Sequence, residues 1–212
     1  MLFDFEKLGA EEKYKLLTAT IVPRPIAWVV TQTPAGSLNC APFSFFNAFA
    51  GEPPVVCIGV GARAPGPKDT ASNIHRTGEF VVNLVPETLV WQMNITAIDF
   101  GPEINELDEA KIETVPSVRV KPPRISGSPV SFECVRMVTL EIGISRSIVV
   151  GRVVVMHVAD DAVRDAARCY INTPKLGLVG RMHGGGWYTR TSDQFEVPRI
   201  NENDWWVKSG RK

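Results

Sequence analysis

Pro23 and Pro25 enclose Arg24, and this short stretch limits what the first third of the chain can become. Residues 10–19, AEEKYKLLTA, are good helix formers with acids in the first turn, which suits the helix dipole. Proline lacks the N–H that a further turn needs and biases its predecessor toward extended backbone. The helix therefore stops here and strand begins. Ile26, Trp28 and Val30 alternate with Ala27, Val29 and Thr31, the period of a strand. Thr33-Pro34-Ala35-Gly36 is a turn before a second extended run from Leu38, and Pro53-Pro54 leads into the apolar run Val55–Val60.

Further strands are expected at Phe80–Val85, at 130–142 and at 147–158. Between 130 and 142, Val130, Phe132, Cys134, Val138, Leu140 and Ile142 share one face. Arg136 interrupts that face, so a bulge or a buried contact is expected there. Helices are expected at 70–78, at 87–97 and 105–111 around a Gly101-Pro102 loop, and near 161–168. Closely spaced antiparallel strands with helices set between them predict a β-barrel with helical decoration, an α+β fold. No repeat or Gly/Ser/Pro-rich linker divides the chain, so one domain over 1–212 is expected.

Composition mainly excludes. The 23 Lys and Arg balance 23 Asp and Glu, so no net charge favours nucleic acid or an anionic membrane. No uncharged apolar run approaches the roughly 18 residues of a membrane span. The first residues, MLFDFEKLGAEEKYK, lack the basic start and apolar run of a secretory signal. Cys40, Cys57, Cys134 and Cys169 form no C-x-x-C pair, and a reduced, cytoplasmic chain is the simpler reading.

The only histidines are His75, His157 and His183, with no ligand spacing among them, so no metal site is expected. His157 lies in a strand pattern and reads as structural. Gly59-Val60-Gly61-Ala62-Arg63-Ala64 satisfies a loose dinucleotide-binding pattern. That mechanism needs a helix to start there, and Pro65-Gly66-Pro67 prevents one. Neither a phosphate-binding P-loop, a zincin H-E-x-x-H nor a G-x-S-x-G elbow occurs.

One segment resists a purely structural reading. Residues 39–49, NCAPFSFFNAF, hold four phenylalanines among two asparagines, a serine and small residues. Such a stretch suits a flat heteroaromatic ligand, with apolar surface for its face and amides or hydroxyls for its edge. Taken alone, it favours a core strand with Asn47 in a turn. Lys68-Asp69-Thr70 precedes a short helix, where a phosphate would meet helix N–H groups, a hydroxyl and an ammonium. Alternatively Thr70 simply caps that helix. Arg24, stiffened by its prolines, offers a guanidinium to a phosphate.

Together these stretches resemble a family. TIVPRPIAWVV, NCAPFSFFNAF, the Pro-Pro-led strand to Gly61, KDTASNIHRTGEFVVNLV and GRMHGGGWYTRTSDQFEVPR occur in the order of the FMN-binding split-barrel proteins of the flavin-reductase-like superfamily. The flavoredoxin-type branch is the nearest likeness. The likeness is dense over 18–85 and returns at 180–199.

The resemblance implies a split β-barrel homodimer binding FMN near the subunit interface. Asn39, Cys40, Ala41, Pro42, Phe43, Ser44 and Phe45 would line the isoalloxazine, largely through backbone groups. Thr31 would lie near the ribityl chain, and Arg24, Lys68, Thr70 and Asn73 would hold the phosphate. Arg181 and His183 would sit near the flavin or the nicotinamide, with His183 the candidate catalytic residue. Phe46 and Phe49 are expected to face the core. Cys40 departs from several relatives, and its thiol faces either the flavin or the core, the usual place of a small apolar residue.

The activity implied is reduction of flavin by NADH or NADPH as a transient co-substrate, hydride passing through flavin N5. Alternatives are a flavoredoxin-like electron carrier without a nicotinamide site and a non-catalytic flavin carrier. An electron-transfer protein or a monooxygenase would then be a partner.

Overall fold

The computed structural model describes residues 1–63, 66–101 and 103–209. Helix α1 (Ala10–Thr20) ends just before the two prolines. Seven strands follow: β1 (Ala27–Gln32), β2 (Leu38–Phe43), β3 (Phe46–Gly51), β4 (Pro54–Val60), β5 (Glu79–Leu84), β6 (Val130–Glu141) and β7 (Ser147–Val158). They form one sheet in the order β2-β1-β5-β6-β7-β4-β3, each pair antiparallel.

That order dictates the shape. The two edge strands, β2 and β3, are consecutive in the chain and are joined only by Ser44 and Phe45. Laid flat, they would stand about 29 Å apart at the usual ~4.8 Å strand spacing. The three Cα steps across the link reach about 11 Å at most. The sheet must curl into a barrel whose split lies at Ser44-Phe45. The Gly59 N–H extends the β3–β4 ladder into the link by donating to the Phe45 carbonyl at 2.7 Å. Glycine allows this approach, since a Cβ there would lie 3.0 Å from Phe45 Cβ.

Strand β1 is buried on both faces, as a middle wall should be. Ala27 and Val29 point into the barrel with Phe43, Ile58, Phe80, Val82 and Val149. Trp28 and Val30 point outward into a second core with Met93 of α3 (Val90–Ile95) and Leu107 of α4 (Glu106–Glu109). The Trp28 indole donates to Thr96 Oγ1 at 2.8 Å, which satisfies its one polar atom. Asn83, fully buried in β5, donates to the Trp28 carbonyl (3.0 Å). Its oxygen accepts from the Ile125 N–H (3.0 Å) and the Ser131 hydroxyl (2.8 Å). His157 pairs with the fully buried Glu133 at 2.7 Å, the structural role expected of it.

Three expectations require correction. Residues 161–168 are not helical: a 3₁₀ turn at Asp160–Ala162 leads into Val163–Asp165, which pairs with Tyr170–Ile171. Ala162 packs with Val130 and Leu176, and its carbonyl accepts from Asn172 at 2.7 Å. Tertiary contacts thus override the helical composition. The helix expected at 87–97 is a 3₁₀ turn followed by the six residues of α3, and the one at 105–111 shrinks to α4. In β6, Val130 and Cys134 are buried, but Val138, Leu140 and Ile142 are 44%, 49% and 57% exposed. The register shifts between Arg136 and Val138, where Arg136 had signalled a bulge. One extra residue exchanges the two faces of a strand.

The dinucleotide-like pattern has no helix within its described part. Gly59 and Val60 end β4, and Ala62–Arg63 pairs with Gly66–Pro67. Ala64 and Pro65 lie outside the described residues, as does Pro102.

Candidate functional site

The split creates the site. Pro42, Phe43, Ser44 and Phe45 form one wall of a groove of about 330 Å³, completed by Tyr14, Gly59, Gly61, Ala62, Lys68 and Arg146. Tyr14 of α1 leans over Phe45, ring centroids 6.2 Å apart, and forms the rim. The groove meets a narrow cleft of about 70 Å³ at two shared residues, Pro42 and Lys68. Asn39, Ala41, Thr70, Asp99 and Glu106 also line the cleft. It opens at the start of α2 (Asp69–Thr77), whose N-cap residue Lys68 makes no side-chain cap. The positive end of the dipole of a nine-residue helix therefore lies at the cleft.

Behind the cleft lies a buried polar layer. Thr31, Asn39, Thr70 and Asn73 are at most 8% exposed. Asn39 is oriented with its side-chain oxygen accepting from Thr70 Oγ1 (3.0 Å) and its amide donating to Glu106 Oε1 (3.3 Å). Asn73 Nδ2 donates to Thr31 Oγ1 at 3.1 Å. These side chains spend their hydrogen bonds on one another, so Thr31 and Asn73 shape the cleft from behind. Thr70 lies inside α2 and does not cap it. Lys68 reaches Asp99 at 3.1 Å.

Two residues of the segment turn away. Cys40 is fully buried in the outer core beside Trp28, Val30 and Met93. Its N–H donates to Glu106 Oε2 at 2.9 Å, so neither group is presented to the groove. Burial raises its thiol pKa well above the ordinary value, and Glu106 pushes the same way. Phe46 packs against the inner core. Phe49 does not: β3 slips register between Ala48 and Ala50 against β4, and the ring is 67% exposed.

Arg24 is 5% exposed and donates to four acceptors. Nη1 bonds the carbonyls of Thr18 (2.7 Å) and Ile21 (2.8 Å), Nη2 that of Met182 (2.8 Å), and Nε the Ser44 hydroxyl (3.2 Å). Desolvation lowers its pKa; Tyr14 opposes that and Arg181 adds to it. With four of a guanidinium's five N–H groups spent, Arg24 is a tie between elements. Met182 begins the tip of a hairpin, β8 (Val179–Arg181) and β9 (Tyr188–Arg190). His183 stands exposed on that tip against Trp187, centroids 5.5 Å apart, and Arg181 lies over the Tyr188 ring. Neither His183 nor Arg181 lines the groove.

Sequence reasoning missed Tyr14, Asp99, Glu106 and Arg146. None carries a local signal, because the topology alone brings these four residues to the site.

The arrangement fits FMN on its own chemistry. The groove reaches the roughly 300–1,000 Å³ range of small-molecule sites. Its wall carries rings and a hydroxyl, and the adjoining cleft sets the Lys68 ammonium at the start of α2, beside the carboxylates of Asp69, Asp99 and Glu106. No group of three or more potential metal-ligating side chains occurs among the described residues. Nor is any helix there long and apolar enough to cross a membrane.

Comparison with known proteins agrees. Residues 19–175 match the family described as flavin reductase like domain. A Deinococcus radiodurans protein is 44% identical over 208 residues, covering 96% of this chain and 91% of that protein. Nitrilotriacetate monooxygenase component B from Bacillus cereus superposes with a TM-score of 0.87 at 32% identity, covering 93% of this chain and 98% of its own. The 2-nitrobenzoate 2-nitroreductase of Pseudomonas fluorescens gives 0.87 at 30% identity, covering 95% and 98%.

Proposed function

The chain belongs to the flavin reductase-like family and is an FMN-binding oxidoreductase, and from that premise we propose that it is an NAD(P)H-dependent flavin reductase acting as a homodimer. The observation that carries the reading is the junction of groove and cleft at Pro42 and Lys68. A ring against Pro42–Phe45 and a phosphate at Lys68 and the start of α2 are then within one ligand's reach.

When bound, FMN supplies the two-electron, hydride-accepting centre that no side chain here provides. The chain binds and orients. Phe45 and Tyr14 bury the ring and exclude water from one side. Ser44 offers a hydroxyl, and Lys68 with the α2 N–H groups holds the phosphate. A reduced nicotinamide would enter from the side of the groove left open.

The homodimer reading rests on exposed apolar surface. Phe49, Met137, Val138, Leu140, Ile142 and Ile144 are 44–93% exposed along β3 and the β6–β7 hairpin, beyond the scattered exposure of a monomer. The C-terminal arm adds Phe195, Val197 and Trp205, with no buried residue described between 192 and 209. A monooxygenase as partner is supported by the similarity to a protein that is itself one component of such a system.

The test is anaerobic stopped-flow with the FMN-loaded protein. Bleaching of the visible flavin band by NADH or NADPH is expected. No bleaching by either, with bleaching by a reduced ferredoxin-type donor, makes the protein an electron carrier. Bleaching by none of them makes it a flavin carrier.

A further inference from the structure

The contacts of Arg24 have a chemical consequence for Ser44. A guanidinium has five donors and no acceptor. In the Arg24 Nε–Ser44 Oγ bond of 3.2 Å the hydroxyl oxygen must therefore be the acceptor. Ser44 keeps its own hydrogen, and no acceptor for it occurs among the described hydrogen bonds. Ser44 lines the groove. A hydroxyl that accepts from behind on one lone pair has its hydrogen left for what stands in front.

Arg24 is held too firmly to relax. Its remaining bonds fix it to the end of α1 and to the hairpin through the carbonyls of Thr18, Ile21 and Met182. Its own backbone exchanges two bonds with Arg181, at 2.9 and 2.8 Å. An unbound serine hydroxyl rotates to suit its surroundings, whereas this one is oriented before any ligand arrives.

We propose that Arg24 is a positioning residue that orients Ser44 as a hydrogen-bond donor to the bound flavin, and so sets the cofactor's reduction potential. Reduction adds electron density to the ring. A donor fixed against a position that remains an acceptor, such as a ring carbonyl oxygen, therefore stabilises reduced FMN more than oxidised FMN and raises the midpoint potential. The proposal rests on FMN occupying the groove. In this role Arg24 acts through a side chain and does not itself hold the phosphate.

The test is spectroelectrochemical titration of FMN-loaded protein. Ser44→Ala is expected to lower the midpoint potential by about 30 mV, which for a two-electron couple is a tenfold change in the preference for reduced over oxidised FMN. Ser44→Thr, which keeps the hydroxyl, should restore most of it. Arg24→Lys should fall to the Ser44→Ala value, and the double variant should fall no further, since both changes remove one interaction. An unchanged potential in Ser44→Ala, or additive losses in the double variant, overturns the proposal.

Should Arg24→Lys fail to fold, the coupling is read in the unaltered side chain. The Arg24 Nε–H nuclear resonance should shift on flavin reduction in the native protein and not in Ser44→Ala. The same shift in both refutes the link. A protein that takes up no FMN contradicts the groove assignment instead, a different failure from an unmoved potential.

Discussion

Asp99→Asn should tighten FMN binding, although it removes a charged residue from the site. Asp99 lies 3.1 Å from Lys68 Nζ at the mouth of the cleft. A phosphate oxygen taken by the same ammonium at a similar distance would stand about 5 Å from that carboxylate, given tetrahedral directions at nitrogen. Two unit charges at that separation repel by somewhat under about 1 kcal/mol in bulk water. A phosphate monoester carries about 1.5 to 2 charges near neutral pH, bringing the repulsion to about 1.2–1.7 kcal/mol.

Removing this repulsion should tighten FMN roughly tenfold, and leave riboflavin, which lacks the phosphate, unchanged. Fluorescence titration with both ligands at low and high salt is the assay. The gain should shrink as salt screens the charges. Equal tightening for riboflavin, or weaker FMN binding, would show that the phosphate does not sit beside Lys68.

Other outcomes are as specific. Replacing Lys68 and Thr70 together should weaken FMN and spare riboflavin in the same titration. Glu133 is fully buried; desolvation raises its pKa, but bonds from the Val118 N–H (2.8 Å), His157 (2.7 Å) and the Arg119 N–H (2.6 Å) outweigh this and lower it. A depressed carboxylate stabilises the fold above its ordinary titration range and loses that contribution as pH falls through its folded value. Glu133→Gln should therefore cost about 2–3 kcal/mol at neutral pH by urea unfolding. That difference should close at acid pH, below the ordinary value of 4.5. Gly151→Ala should cost about 1–3 kcal/mol by overpacking, because its Cβ would lie 2.4 Å from Phe80 Cζ. With a thiol reagent, exposed Cys169 should react in the native protein, while buried Cys40 and Cys134 wait for unfolding.

The groove's wall was legible because it is local: Pro42 to Phe45 are neighbours in the chain, and their mixture of rings and polar groups is unusual for a strand. Lys68 and Thr70 were legible through the helix start beside them. Arg24 was visible only as a stiffened cation, because the carbonyls that absorb its donors come from residues as distant as Met182. Asp99 and Glu106 come from segments whose patterns speak only of helix and loop. Parity misled wherever a register shift intervened. Val138 follows the alternation of Val130 and Cys134 on paper, and one displaced residue in β6 turned it outward, while Phe49, three residues from inward-facing Phe46, is itself the displaced residue of β3.

The strand order also divides the fold by sequence distance. β1 with β2, and β3 with β4, are two hairpins of near neighbours, linked through Ser44 and Phe45 like the arms of tweezers. The three strands between residues 79 and 158 are a panel that sets how far apart the arms stand, and their pairings with β1 and β4 are the long-range ones. Chain-closure entropy makes such pairings the slow ones to form. The groove at the pivot thus takes its width from strands it never touches. A substitution deep in β6 or β7 that loosens the panel would reach the flavin as a change of angle between two hairpins.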